Sequence, residues 1–403
     1  MKSINTWIWA AFALWLSSCS PEAPQYDLIV YGATPAGIIT AVTAADHGAR
    51  VLLVEPMPVV GGMSTSGLNT AENEHIVNDA ITGRARDFYI RLGELYYDTA
   101  YFQTFGNGRN LDFQPGDPAF FFESKHAQAL YETMIEEAGI ELITDAHLTA
   151  TTVKEGRIQE LELSNGRQFT ARYFVDCSYE GDLMAQAGVP YTYGREPVEQ
   201  YGESLAGLRL IDDTLSARMV DANGALLPYF NRYDTLVPGS GDKRVMNYNF
   251  RPIMTEVDSH HVQRIALSDS TFTNEGRIWE IVLLPFEVSY HTITPPKSSV
   301  KNLLVPVCAS FSHVAFCTYR LESTWMQAGH AAGLAIVQAL EKDVAVQDID
   351  IPALQKELIA EGMVIEADSI KGYDDYDWMK GHRRYGHRYK RMYEAYGIDL
   401  EGF

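Results

Sequence analysis

Gly32, Thr34, Gly37 and Glu55 are spaced like the working parts of a phosphate-binding turn. The stretch that carries them, Tyr31 to Glu55, reads YGATPAGIITAVTAADHGARVLLVE. A chain passing from strand into helix exposes the first N–H groups of the helix and the positive end of its dipole, and both attract a diphosphate. Gly32 permits the tight turn, and Gly37 lets the helix lie against the sheet. The middle position, usually glycine, is Thr34. It must only let backbone come near phosphate, which it does if its φ stays negative, and its hydroxyl is placed to donate to a phosphate oxygen. Pro35 sits at the first helical position, where its missing N–H has no partner to lose, and Ala36 follows it. Glu55 is placed to accept from the hydroxyls of an adenosine ribose, and its charge repels a 2′-phosphate. Gly61 and Gly62, with Met63 behind them, offer a second place for backbone to approach an extended dinucleotide.

The elements around these residues follow from periodicity. YDLIVY (Tyr26–Tyr31) and RVLLVE (Arg50–Glu55) are short apolar runs of the buried-strand type. Ile38, Ile39, Ala41, Val42 and Ala45 stripe the helix between them, which Gly48 ends. Together they make a β-α-β unit of about thirty residues. Helices are predicted from Thr82 to about Thr99 and from Ser124 to Ala138, on either side of an aromatic loop. After Gly139 the period becomes alternating, and strands are predicted at Ile140–Thr144, Leu148–Lys154, Arg157–Leu163 and Gln168–Asp176. Glu155-Gly156 and Ser164-Asn165-Gly166-Arg167 supply the turns. The result is a β-meander whose last strand returns to the sheet at RYFVDCS. Val300–Cys308 reads as a last buried strand, followed by helices over Ser323–Leu340 and Pro352–Ala360. The fold class expected is α/β: a Rossmann-like domain with a parallel sheet and a β-meander crossover. Residues 26–188 and 300–362 build it, 189–299 form a smaller substrate-side region, and 363–403 form a tail with an acidic and a basic block.

The chain of 403 residues carries 53 acidic against 32 basic residues, a formal net charge of −21. That balance argues against a general affinity for nucleic acid. In MKSINTWIWAAFALWLSSCS, Lys2 precedes an apolar run from Trp7 to Leu16, too short for a bilayer and suited to a signal-peptide core. Leu16-Ser17-Ser18-Cys19 is similar to a bacterial lipoprotein box; an ordinary signal peptide with a chance cysteine is the other reading. Acylated, Cys19 would anchor the body to a bacterial membrane as a cell-envelope lipoprotein. Cys177, Cys308 and Cys317 remain, an odd number without a CxxC pair, so free buried thiols are expected over a disulfide framework.

Longer motifs carry a family resemblance. YDLIVYGATPAG, VLLVE with its following GGM, FVDCSYEGDLMAQAGVPYTYGRE, QYGESLAG, NLLVPVCASFSHVAF and RLES together resemble the bacterial FAD-dependent oxidoreductases of the FAD_oxidored type. Those proteins belong with the glutathione-reductase-like and fumarate-reductase-like flavoproteins. The resemblance runs from about Tyr26 to Gly362 and implies FAD bound in extended form. It assigns Gly32, Thr34, Pro35, Ala36 and Gly37 to the pyrophosphate, Glu55 to ribose, and Gly61, Gly62 and Met63 to the flavin side. In one respect the chain departs: the family carries a longer middle between the segments matching Tyr248–Thr255 and Asp258–Arg264, which only Glu256 and Val257 separate here.

With FAD bound, the chemistry is hydride transfer between a substrate carbon and flavin N5. His313 is the candidate base, since a neutral imidazole takes a proton near pH 7. Arg320 is placed to position a small anionic or hydroxylated substrate, and Glu322 to orient Arg320. The helix opening near Ser323-Thr324 can face charge developing at flavin N1 and C2=O. Gly329 and Gly333 on that helix allow close approach to the cofactor, the sheet or another helix. Asp176 contacts cofactor or caps the helix starting near Gly181. His260 and His261 are adjacent, which does not suit zinc, and no metal is expected. Two readings remain: a membrane-tethered flavin oxidoreductase acting on a small polar substrate such as a sugar, and an envelope lipoprotein that keeps FAD for binding or scaffolding without turnover. A soluble NAD-linked dehydrogenase fits the β-α-β unit but not the Gly61-Gly62 doublet or the signal peptide.

Overall fold

The computed structural model describes residues 24–66, 80–96, 115–120, 122–210 and 286–369, together with 215–216, 220–226, 230–231, 237–245, 264–266, 268 and 271–274. The signal segment with Cys19, the aromatic loop, the 248–264 junction with His260 and His261 (apart from Arg264), and the tail beyond 369 lie outside the described residues.

The β-α-β unit forms as its apolar spacing requires: β1 (Tyr26–Tyr31), α1 (Pro35–Asp46) and β2 (Val51–Val54). A one-turn helix, α2 (Gly62–Thr65), comes next, then α3 (Gly83–Glu94) and α4 (Ser124–Glu137). The helix predicted from Thr82 begins on schedule and stops at Glu94. The meander is β3 (Glu141–Ile143), β4 (Leu148–Lys154), β5 (Arg157–Leu163) and β6 (Gln168–Asp176), the last three with the bounds expected from alternation.

A single sheet runs β3-β2-β1-β6-β5-β4. Strand β6 belongs to two parts of it. Its first residues, Gln168–Thr170, pair antiparallel with β5, and Ala171 to Asp176 pair parallel with β1. The strand expected over Val300–Cys308 shortens to β11, Leu303–Leu304, parallel to β6; β7 to β10 are the short strands of the middle region described below. Pro306 cannot donate to a ladder, which stops the pairing there. Just before it, buried Asn302 ties β5 to β6: its side chain accepts from Ile158 N–H and donates to the carbonyls of Ile158 and Arg172, each at 2.9 Å.

Alternate residues of the parallel strands feed two cores, as a period of two dictates. Leu28, Val30, Leu53, Tyr173 and Val175 face the helical layer of α1, α3 and α4. Ile29, Tyr31, Leu52, Val54 and Phe174 face the meander. The helical layer also holds α8 (Glu322–Lys342), which follows α5 (Asp182–Gln186), α6 (Val198–Tyr201) and α7 (His313–Tyr319), and α9 (Ile351–Ala360). In the middle region, β7 (Leu215–Ser216), β8 (Phe230–Asn231), β9 (Arg264–Ala266) and β10 (Thr271–Asn274) make a separate sheet in the order β7-β10-β9-β8. Cys177, Cys308 and Cys317 are free thiols. Among the described residues no helix is long and apolar enough to cross a membrane.

One carboxylate fastens the far end of the helical layer. Glu361, just after α9, meets His47 Nε2 at 2.7 Å, Arg84 Nε at 2.9 Å and buried His330 Nε2 at 2.8 Å. Burial alone would raise its pKa, but these three donors outweigh that and hold it at about 2. A depressed carboxylate stabilises the fold above its unfolded pKa near 4.5, and that stabilisation is lost as pH falls from there toward 2. Glu361→Gln is therefore expected to destabilise by on the order of 2 kcal/mol at neutral pH. In thermal melts the gap from wild type should narrow below about pH 4.5; a gap that stays constant with pH would contradict the ionic account.

Candidate functional site

The two glycine turns meet on one residue, Ala33. Ala33 N–H donates to Glu55 Oε2 at 2.7 Å, and Ala33 C=O accepts from Gly61 N–H at 2.7 Å. The Gly32–Gly37 turn, Glu55 and the start of the Gly61-Gly62-Met63 turn are thus tied together at the ends of β1 and β2.

Each glycine has a specific reason. Gly32 has φ +95°, and a Cβ there would lie 2.7 Å from the Cys177 carbonyl carbon and the Ser178 nitrogen. A Cβ at Gly37 would fall far inside contact with Gly32 O and 3.1 Å from Cys177 Cβ. Only glycine lets α1 settle on the turn and on the end of β6. Gly61 and Gly62 have φ +92° and +50°, and their Cβ directions are filled by Thr65 and Tyr131 and by Tyr179. The doublet is thus set by left-handed backbone and by close packing of the protein's own side chains.

Thr34 has φ −67° and caps α1, its hydroxyl accepting from Gly37 N–H at 3.3 Å. The same hydroxyl donates to Cys177 O at 2.9 Å, so it does not point a donor at phosphate as the sequence suggested. The cap position draws it into the turn's own hydrogen bonding. Ala36 and Gly37 belong to the first turn of α1, whose N–H groups have no carbonyl partner within the helix. Glu55 also accepts from Met57 N–H at 2.8 Å, and burial raises its pKa against the pull of these two amides. A carboxylate has about four lone-pair sites, so two remain for ribose hydroxyls.

A second helix end lies beside this surface. Gly329 and Gly333 serve helix packing: a Cβ on Gly329 would press into Ala36 O, and one on Gly333 would lie 2.6 Å from Thr43 Cβ. Thr40 Oγ1 adds a bond to Gly329 O at 3.1 Å. Residue numbers rise together along the seam, so α8 runs parallel to α1. Gly329 faces the first turn of α1, so α8 extends past it by roughly 10 Å, at about 1.5 Å per residue. That overhang begins at Glu322, one residue earlier than the predicted opening. Tyr179 joins the overhang to the glycine doublet. Its hydroxyl accepts from Met63 N–H at 2.8 Å and donates to Glu322 Oε1 at 2.6 Å.

Glu322 consequently does not orient Arg320. It is 2% exposed, and burial pushes its pKa up to about 8 against the lowering effect of the Tyr179 hydroxyl. Asp176, fully buried with its pKa raised by burial to about 6, accepts from Ser178 N–H and Oγ–H and from Met184 N–H. It caps α5, the helix-capping role that its position near Gly181 allowed. His313 opens α7, and its Nδ1 meets the Glu196 carboxylate in a short contact. Burial raises the Glu196 pKa, but hydrogen bonds from the His313 ring and backbone overcome this and lower it. Arg320 ends α7, its N–H on Phe316 O at 2.9 Å. Ring contacts run from Phe316 of α7 to Trp325 and on to Tyr179, at centroid distances of 6.3 and 5.6 Å, and so link α7 to the start of α8 and to the residue that holds Met63 N–H. Sequence reasoning missed Tyr179, Tyr131 and Glu196 as site residues. Tyr179 and Glu196 lie inside the long motifs, but nothing local reveals partners more than a hundred residues away.

The sequence model of a family described as FAD dependent oxidoreductase matches residues 27–258 and 253–358. The chain belongs to that family. Its two matched segments overlap over residues 253–258. A stretch of 54 residues is 46% identical to the NADH:fumarate oxidoreductase of Klebsiella pneumoniae (strain 342), covering 12% of this chain and 6% of that protein's length. Among solved structures, a geranylgeranyl bacteriochlorophyll reductase-like protein from Thermoplasma acidophilum is 12% identical, covers 83% of both chains and has a TM-score of 0.37. The halogenase PltM in complex with phloroglucinol and FAD is 13% identical over 84% of this chain and 73% of its own, with a TM-score of 0.36. THI4 of Thermovibrio ammonificans is 16% identical, covers 47% of this chain and 73% of its own, and has a TM-score of 0.29.

The residues present fit FAD, the family's cofactor. A glycine cradle faces the first turn of α1, an acid with spare acceptor sites ends β2, and the buried polar atoms Glu322 Oε2 and Ser323 Oγ lack any partner at the mouth of α8. Gly37→Ala should leave purified protein without yellow colour, because the added methyl group drives α1 off the turn; a normal ratio of flavin to protein absorbance would overturn the placement. A second expectation concerns Glu322. A raised pKa penalises the folded state progressively as pH rises from about 4.5, the unfolded value, to about 8. Glu322→Gln should gain thermal stability over wild type across that window, and a difference independent of pH would contradict it.

Proposed function

We propose that the chain oxidises a small hydroxylated substrate of the sugar type, from a site tethered to the bacterial cell envelope through Cys19. The bound FAD supplies a hydride acceptor at N5. His313 takes the hydroxyl proton of the substrate. The His313–Glu196 contact carries this reading: a carboxylate on Nδ1 fixes the ring tautomer and turns Nε2 toward the substrate as the base. Arg320, one helix turn beyond Phe316, holds the substrate's polar end.

Glu196 lies in the middle region, 117 residues from its partner. That the shortened middle still delivers a carboxylate to His313 supports turnover over mere retention of FAD. The two parallel helix ends support the same reading. The first turn of α1 receives the diphosphate, and the overhanging start of α8 stabilises charge on the ring side. The lipoprotein-like box at Leu16–Cys19 supports the tether, which keeps the body close to a membrane.

Purified protein lacking residues 1–19 should show a flavin spectrum that bleaches anaerobically with a sugar or polyol from a panel of hydroxylated compounds. His313→Asn should keep its flavin while losing about 10²–10⁴-fold in the rate of bleaching, the usual range for a general base. Unchanged bleaching in this variant would remove His313 from the reaction. In cells, Cys19→Ser should move the full-length protein from the membrane to the soluble fraction; equal partition would remove the tether.

A further inference from the structure

At the first turn of α8, Glu322 Oε2, Ser323 Oγ and Trp325 Nε1 are sealed from solvent without a hydrogen-bond partner among the described residues. Their residues are 2%, 1% and 5% exposed. Leaving one such atom unsatisfied costs about 1–3 kcal/mol, and folded proteins tolerate few of them. Three on one turn point to a polar ligand that supplies the missing partners.

Glu322 is the member that can change charge. Oε1 is engaged by Tyr179 O–H, and the Tyr179 oxygen is itself engaged by Met63 N–H. Oε2 is therefore the carboxyl oxygen left without a partner among the described residues, and Tyr179 joins this carboxyl to the Gly61-Gly62-Met63 turn. The titratable groups facing Glu322 are Tyr179 and Tyr131, both held neutral by burial well above the ordinary tyrosine range. Arg320, two residues upstream, is not among the groups that set the ionisation of Glu322. Among the described residues, therefore, no fixed cation is among the groups that decide whether the carboxyl is charged; burial decides, and any charge on a ligand beside it would add to that.

We propose that Glu322 is a redox-linked proton site of the bound flavin: Oε2 contacts a polar atom of the ring, and the carboxylate binds a proton when the ring becomes negative on reduction. The inference rests on the FAD reading. Its balance is simple. The hydroxylated substrate loses a hydride to the ring and its O–H proton to His313, which leaves the ring with one added negative charge. A separate proton from solvent then binds Glu322, forming the Oε2–H bond and cancelling the carboxylate charge. Burial by the protein alone already holds its pKa near 8, so a negative charge on the ring acts on the alkaline side of that value.

The test uses the flavin-loaded protein, reduced stepwise with dithionite against redox dyes from about pH 7 to about pH 10. In wild type, potential against pH should double in slope above about pH 8, because two protons rather than one accompany the two electrons. Glu322→Gln should keep the one-proton slope throughout. Tyr179→Phe, which deprives the carboxylate of its O–H donor, should move the break to higher pH, a shift that a merely structural tyrosine would not produce. Infrared difference spectra of wild type near pH 9 should gain a protonated-carboxyl band on reduction. Equal slopes in wild type and Glu322→Gln, both carrying flavin, overturn the inference and leave FAD binding standing. A wild type that holds no flavin overturns both. If Glu322→Gln holds none, the wild-type infrared band and the Tyr179→Phe break decide: absence of both overturns the proposal.

Discussion

The flat contact between α1 and α8 governs the site. Two α-helices ordinarily keep their axes 8–10 Å apart because side chains separate them. Gly329 and Gly333 remove that separation against Ala36, Thr40 and Thr43, and Thr40 Oγ1 bonds across the seam. Helices α1 and α8 are therefore one packed pair with a fixed stagger. Because the stagger is set by glycine contacts, the distance between the two positive helix ends is built into packing. It does not depend on loops, which tolerate drift.

Much of this was legible in the sequence, and the reason is local. Gly32 and Gly37 need only their immediate turn to explain them, and the left-handed φ of Gly32 is what its position required. Strands β4, β5 and β6 follow from alternation and from the Glu155-Gly156 and Asn165-Gly166 turns, and their bounds match the structure. What was not legible is long-range. Tyr179 and Glu322 are 143 residues apart, and Glu196 and His313 are 117 apart. No periodicity relates such pairs. Thr34 shows a subtler limit: its type suited either a phosphate donor or a helix cap, and only the nearness of Cys177 O decided for the protein's own backbone.

The site joins opposite electrostatic environments. At the first turn of α1, helix amides and small residues favour negative charge. At the first turn of α8, Glu322 sits in a setting that resists ionisation, with Tyr179 as its hydrogen-bond donor. A neutral acid beside a helix end differs from an ionised one. It can donate as well as accept, and it leaves the positive helix end unopposed. Those properties suit a ligand that is uncharged in one state and anionic in the other.

The Glu361 knot also bears on where the folding unit ends. The family match stops at residue 358, inside α9. The carboxylate that receives His47, Arg84 and His330 lies three positions later, and Gly362 O accepts from Gly83 N–H at 3.1 Å. A chain trimmed to the homologous boundary would strand a wholly buried imidazole without its acceptor and release the start of α3. The contacts of Glu361 and Gly362 thus carry the helical layer past residue 358, where the family match stops.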